Sequence, residues 1–141
     1  MMRFAGYAAV FDRPDASGDI VRRGAFARAL QGGGAGVPLL WQHRPDVPIG
    51  RIEHLSEDAR GLRVIGRLSG ASVVAKEAAA LLAEGAVSGL SFGYRVRGAK
   101  AGAHRELVDL DLVEVSLVTM PMQPFARVHA VDDGNHNEES A

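Results

Sequence analysis

Cysteine is absent from this chain of 141 residues. Its absence excludes disulfides, thiolate metal ligands and cysteine nucleophiles, so any nucleophile must be an oxygen or an amine. An excess of charge of one sign is missing as well: 16 basic against 17 acidic residues leave a formal net charge of −1. There is no Lys/Arg run either, so electrostatics gives no reason to expect nucleic acid or an anionic membrane as partner. No apolar run approaches the ~20 residues that a membrane-spanning helix needs. The opening MMRFAGYAAVFD lacks a long apolar core. No signal peptide is therefore expected, and the cytoplasm of the producing cell is the expected location.

What remains is a chain with 47% hydrophobic and 23% charged residues, a balance that suits one globular domain with one core. RFAGYAAVF (3–11) reads as a strand and DRPDASGD (12–19) as a turn-rich loop. The acids of that loop lack the spacing and the closing Glu of a calcium loop. IVRRGAFARAL (20–30) reads as a short strand followed by a short helix over Gly24–Leu30. QGGGAG (31–36) is a connector, with neither the Lys-Ser/Thr nor the helix start of a phosphate loop. VPLLWQH (37–43) reads as a strand and RPDVPIG (44–50) as a Pro/Gly loop.

RIEHL and LRVIGRL flank the polar SEDARG (56–61) and predict a hairpin. SVVAKEAAALLAEG (72–85) is the clear helix, with Gly85 placed as its C-terminal cap. SGLSFGYRVRG (88–98) reads as a strand, AKAGAHRE (99–106) as a loop, and LVDLDLVEVSLVTM (107–120) as one long or bulged strand. A turn at PMQPF and a last strand at ARVHAV complete a domain spanning 1–131, and a polar tail is expected over 132–141. Many strands, one or two helices and no βαβ alternation predict an α+β fold: a mainly antiparallel sheet or small barrel.

GLSFG (89–93) fits Gly-x-Ser-x-Gly, the mark of a nucleophile elbow in many hydrolases. The elbow needs a helix after the serine, whereas YRVRG favours a strand. Ser91, if reactive, must act from a strand. Taken alone, a strand serine more often makes a single backbone hydrogen bond, and Ser88 and Ser116 are competing hydroxyls. A serine nucleophile needs a base within reach and a group to orient that base. Of the 5 histidines, His136 lies in the tail, His104 in a polar loop, His54 on a hairpin arm and His129 on the last strand. His43 ends an apolar strand just before a Pro-rich loop, where a rigid element can present it to a cleft.

Glu114, with Val on both sides, is the best orienting acid, because a buried carboxylate needs a partner. Strand alternation turns Asp109 and Asp111 away from it unless a bulge intervenes. Three other readings stay open. An esterase-like hydrolase would use Ser91, Asp109 or Asp111, and His129. A non-catalytic β-rich protein would use none of these. A plain binding barrel would show a ligand box, and the sequence offers none.

Several stretches together resemble one family. GYAAVFD, DIVRRGAF, LLWQHRPDVPIGRI, EGAVSGLSFGY and LVEVSLVTMPMQPFARV occur in the order found in HK97-type phage prohead (capsid maturation) serine proteases, including those of gene transfer agents. The resemblance implies a barrel with surrounding helices like that of the herpesvirus assemblins. It implies a catalytic set at His43, Ser91 and Glu114, and no cofactor. The implied substrate is scaffolding protein or the scaffolding domain of the major capsid protein, cut inside an immature shell in the host cytoplasm. No nucleic-acid or membrane partner is implied, a homodimer is left open, and the non-catalytic alternative becomes a capsid- or scaffold-associated β-rich protein. Backbone N–H groups are the expected oxyanion donors, with Arg44, Arg95, Arg97 and Arg127 as the nearby cations.

Overall fold

The computed structural model describes residues 2–34 and 36–133. The elements in chain order are β1 (Arg3–Val10), β2 (Ile20–Val21), β3 (Pro38–Trp41), β4 (Arg44–Glu57), β5 (Gly61–Leu68), α1 (Val73–Glu84), β6 (Gly89–Lys100), β7 (Glu106–Val118) and β8 (Val128–Asp132). The expected α+β, strand-dominated architecture is present, with a single helix among the described residues. Of the expected polar tail, Asp132 closes β8 and the residues from 134 onward lie outside the described ones.

One sheet runs in the order β2-β7-β3-β4-β5-β1-β8, with β6 against β7. β7 organises it: β6 pairs antiparallel along its length, while β2 and β3 pair with it in parallel near its two ends. The remaining pairings, β3–β4, β4–β5, β5–β1 and β1–β8, are antiparallel. The sheet curls far enough for β6 to meet the chain just before β8. Leu90 N–H donates to Ala126 O at 2.9 Å and Val128 N–H to Ser88 O at 2.8 Å, around the isolated bridge Gly89–Arg127. No continuous ladder closes the circle among the described residues, so the barrel implied by the resemblance is a curled, incompletely closed sheet.

The core lies inside the curl. Phe4, Leu39, Ile49, Leu62, Leu90 and Leu117 are fully buried there, and each such side chain is worth ~1.5–3 kcal/mol relative to exposure. Phe26 joins them, edge-on to Phe92 at 5.2 Å. The helix starts at Ser72, whose Oγ accepts from Ala75 N–H at 3.1 Å, and ends at Gly85, left-handed with φ 78°. That cap is worth about 1 kcal/mol. The helix buries Ala75, Ala78 and Leu82.

Two expectations are corrected here. Gly24–Leu30 forms consecutive turns, not a helix. Gly24 has φ 90°, which breaks a helix at its first residue, and the Glu57 carboxylate takes the N–H groups of Gly24 and Phe26 at 2.9 and 2.8 Å. RPDVPIG is not a loop but the first half of β4. Pro45 and Pro48 fix extended φ values and lack only donors, which an irregular ladder tolerates. The β3–β4 register shifts twice across this stretch, between Leu39 and Leu40 and between Leu40 and Trp41.

Candidate active site

β6 and β7 set the frame. Leu90 opposes Leu117 and Phe92 opposes Val115, and these four face the core. The alternate pairs, Ser91 with Ser116 and Gly93 with Glu114, therefore face outward. Directly opposed residues bring their Cβ atoms to about 5 Å, which places the hydroxyls of Ser91 and Ser116 side by side. Both serines are nonetheless buried, Ser91 with 4% exposure and Ser116 with 0%.

His43 arrives from the other edge of β7. β3 pairs with β7 from Leu39–Val115 to Trp41–Leu117, and Gln42 and His43 then turn back into β4. His43 N–H donates to Ser116 Oγ at 3.1 Å, which draws the turn over the outer face of β7. The His43 ring meets Glu114 through Nδ1, at 2.7 Å from Oε1 and 2.9 Å from Oε2. Ser116 Oγ lies 3.1 Å from each oxygen of the same carboxylate, and its hydroxyl donates there. Glu114 is buried, with its side chain 8% exposed, while that of His43 is 45% exposed. The hydrogen bond that His43 donates to Glu114 raises the His43 pKa above its ordinary value, against burial, which lowers it.

The predicted His43–Glu114 pairing is thus made. Ser91 lies on the same face, opposite the serine that touches both of them, and makes no side-chain hydrogen bond among the described residues. His43 Nε2 likewise has no hydrogen-bond partner there. Beside the pair lies an apolar cleft of about 550 Å³ lined by Pro38, Leu40, Pro45, Pro48, Gly93 and Val113. It is wide enough for side chains of a polypeptide.

The orientation expected of Asp109 and Asp111 is corrected. Gly93 pairs with Glu114 but Tyr94 with Leu112, so Val113 is an extra, bulged residue. The bulge inverts the alternation: Leu110 joins Val115 and Leu117 in the core, and the two aspartates share the outer face with Glu114. They are committed to arginines, Asp109 to Arg28 at 3.1 Å and Asp111 to Arg28 at 2.6 Å and Arg97. His129, on β8, stacks near Tyr7 with centroids 5.8 Å apart. No helix follows Ser91, and neither aspartate contacts His129, so the esterase arrangement is not assembled. His54 bonds Ser56 and His104 bonds Gly18 O. Of the expected cations, Arg97 is held by Asp111, and Arg127 by Pro124 O and Ser88.

By sequence, Ser116 entered only as a hydroxyl competing with Ser91, and Gln42 was not singled out for this site. The signal for Ser116 was its i+2 spacing from Glu114 on a strand, which puts both on one face.

Comparison with known proteins bears on the family and the fold. The family model for the caudovirus prohead serine protease matches residues 1–140. The prohead protease of Enterobacteria phage HK97 is 37% identical over 94 residues, which cover 66% of this chain and 42% of that protein. The matched region thus spans less than half of that relative. Among solved structures, the KSHV protease in complex with a hexapeptide phosphonate inhibitor superposes with a TM-score of 0.59 at 13% identity, covering 99% of this chain and 68% of that one. The varicella-zoster virus protease gives 0.58 at 15%, covering 96% and 66%. At such identities the likeness is one of fold, the assemblin-like fold that the resemblance implied. The family match over essentially the whole chain is of another kind: this chain belongs to the caudovirus prohead serine protease family.

Proposed function

We propose that the chain is a serine endopeptidase that cuts scaffolding protein, or the scaffolding domain of the major capsid protein, inside the immature shell. The observation that carries the reading is the His43–Glu114 contact on the face that also holds Ser91. A carboxylate on Nδ1 fixes the proton there and leaves Nε2 as a base.

Ser91 Oγ attacks the scissile carbonyl carbon while His43 Nε2 takes its proton. The imidazolium, steadied by Glu114, gives that proton to the leaving amine as the C–N bond breaks. Water then attacks the acyl ester, with His43 again as base, and Ser91 is regenerated. The rotation that closes the Ser91–His43 distance belongs to the substrate complex, since such bonds are often unmade in the free enzyme. The apolar cleft supports a polypeptide substrate, because it offers binding area next to the reacting groups without charges to satisfy.

The test is incubation of the purified chain with its cognate capsid precursor. Cleavage is expected with wild type and is lost in Ser91→Ala and in His43→Ala, both folded by circular dichroism. Wild-type cleavage by Ser91→Ala would refute the assignment.

A further inference from the structure

His43 sits in a strained position. It and Gln42 form the whole connection between Trp41 and Arg44, which pair across it, and their φ values are 59° and 53°. Successive left-handed residues suit a tight hairpin, but Asn and Gly normally occupy them, since a Cβ crowds the backbone there. Such conformations persist only where surrounding contacts over-determine them.

Those contacts come from β7 and the residue after it. Gln42 N–H donates to Leu117 O at 2.9 Å, and Gln42 Oε1 accepts from Thr119 N–H at 3.1 Å. The Ser116 hydroxyl accepts from His43 N–H and donates to the Glu114 carboxylate, each at 3.1 Å. Ser116 is fully buried, so water cannot replace it in either role. One hydroxyl thereby joins the backbone of the base to the side chain of its orienting acid.

We propose that Ser116, acting together with Gln42 on the same turn, is a positioning residue that locks the strained turn and the Glu114 carboxylate into one arrangement and so aims the His43 ring. The inference rests on the reading of His43 and Glu114 as base and orienting acid. Ser116 itself is not the nucleophile: its proton is directed to a carboxylate, one of its two lone pairs is occupied by an N–H, and the residue is fully buried.

The test compares the full chain as wild type, Ser116→Ala, Ser116→Thr and Gln42→Ala. It measures cleavage of the capsid precursor per folded molecule and the downfield proton resonance of His43 Nδ1–H. In Ser116→Ala, kcat is expected to fall about a hundredfold, the scale of an ångström's misplacement, with little change in KM. The downfield resonance is lost in the same variant. Ser116→Thr keeps the hydroxyl and recovers both signals. Gln42→Ala, altered at a less buried position, lowers kcat by about tenfold and covers the case in which Ser116→Ala does not fold. An unchanged kcat per folded molecule with an unchanged resonance, in Ser116→Ala or, failing that, in Gln42→Ala, would overturn the proposal. A Ser91→Ala protein that still cleaves, beside a Ser116→Ala protein that loses the resonance, would remove the protease reading and leave the lock standing.

Discussion

Glu114 grips the His43 ring with both carboxylate oxygens, 2.7 and 2.9 Å from Nδ1. A carboxylate only accepts hydrogen bonds, so the contact fixes a proton on Nδ1 and turns Nε2 outward as the acceptor. The pairing settles a tautomer as well as an orientation.

The same contact predicts a pH profile. It raises the His43 pKa, with the hydrogen bond to Glu114 outweighing burial. The base must be neutral to act, so kcat/KM should rise with pH along a limb whose apparent pKa lies above the ordinary ~6.5. Glu114→Gln removes the charge, moves that limb down and lowers kcat by about 10⁴. Stability carries the opposite sign. A raised folded pKa stabilises fully below ~6.5, and this contribution is lost as pH rises through the folded pKa. The pH-dependent part of the difference between wild-type and His43→Ala melting temperatures should therefore shrink on going alkaline.

Gly93 predicts a second effect. It opposes Glu114, and a Cβ there would lie 3.0 Å from Glu114 Cγ and 3.1 Å from Cδ. The glutamate is held by His43 and Ser116 and cannot yield freely. Gly93→Ala should keep its fold and lose about ten- to a hundredfold in kcat, with KM nearly constant. Steady-state kinetics beside a thermal melt measures both.

Why some of this was legible in the sequence follows from the residues concerned. Glu114 between valines announced a buried acid in need of a partner, and His43 at a strand end was the histidine able to supply it. The Val113 bulge left a trace too: apolar positions are even at Leu110 and Leu112 but odd at Val115 and Leu117, so the parity changes between them. The strained turn left none, because Gln-His carries no turn signal and is held by long-range contacts from Ser116 and Thr119. Gly24–Leu30 misled for a similar reason. Its helical composition is overridden by Glu57, more than twenty residues away in the chain, which takes the amides a helix start would leave free.

The commitments of Asp111 and His129 predict silence. Asp111 is bound to Arg28 and Arg97, and His129 faces Tyr7. Asp111→Asn and His129→Ala should both cleave the capsid precursor at close to the wild-type rate. Asp111→Asn should lower the melting temperature only slightly, and less at high salt. Activity abolished by His129→Ala would revive the esterase arrangement.

The most direct measurement is covalent trapping with a fluorophosphonate, followed by mass mapping of the adduct. A single adduct on Ser91 in the wild-type chain, absent from a folded His43→Ala variant, is the predicted result. An adduct on Ser88 or Ser116 instead, or one on Ser91 that forms equally well without the His43 imidazole, would contradict the account.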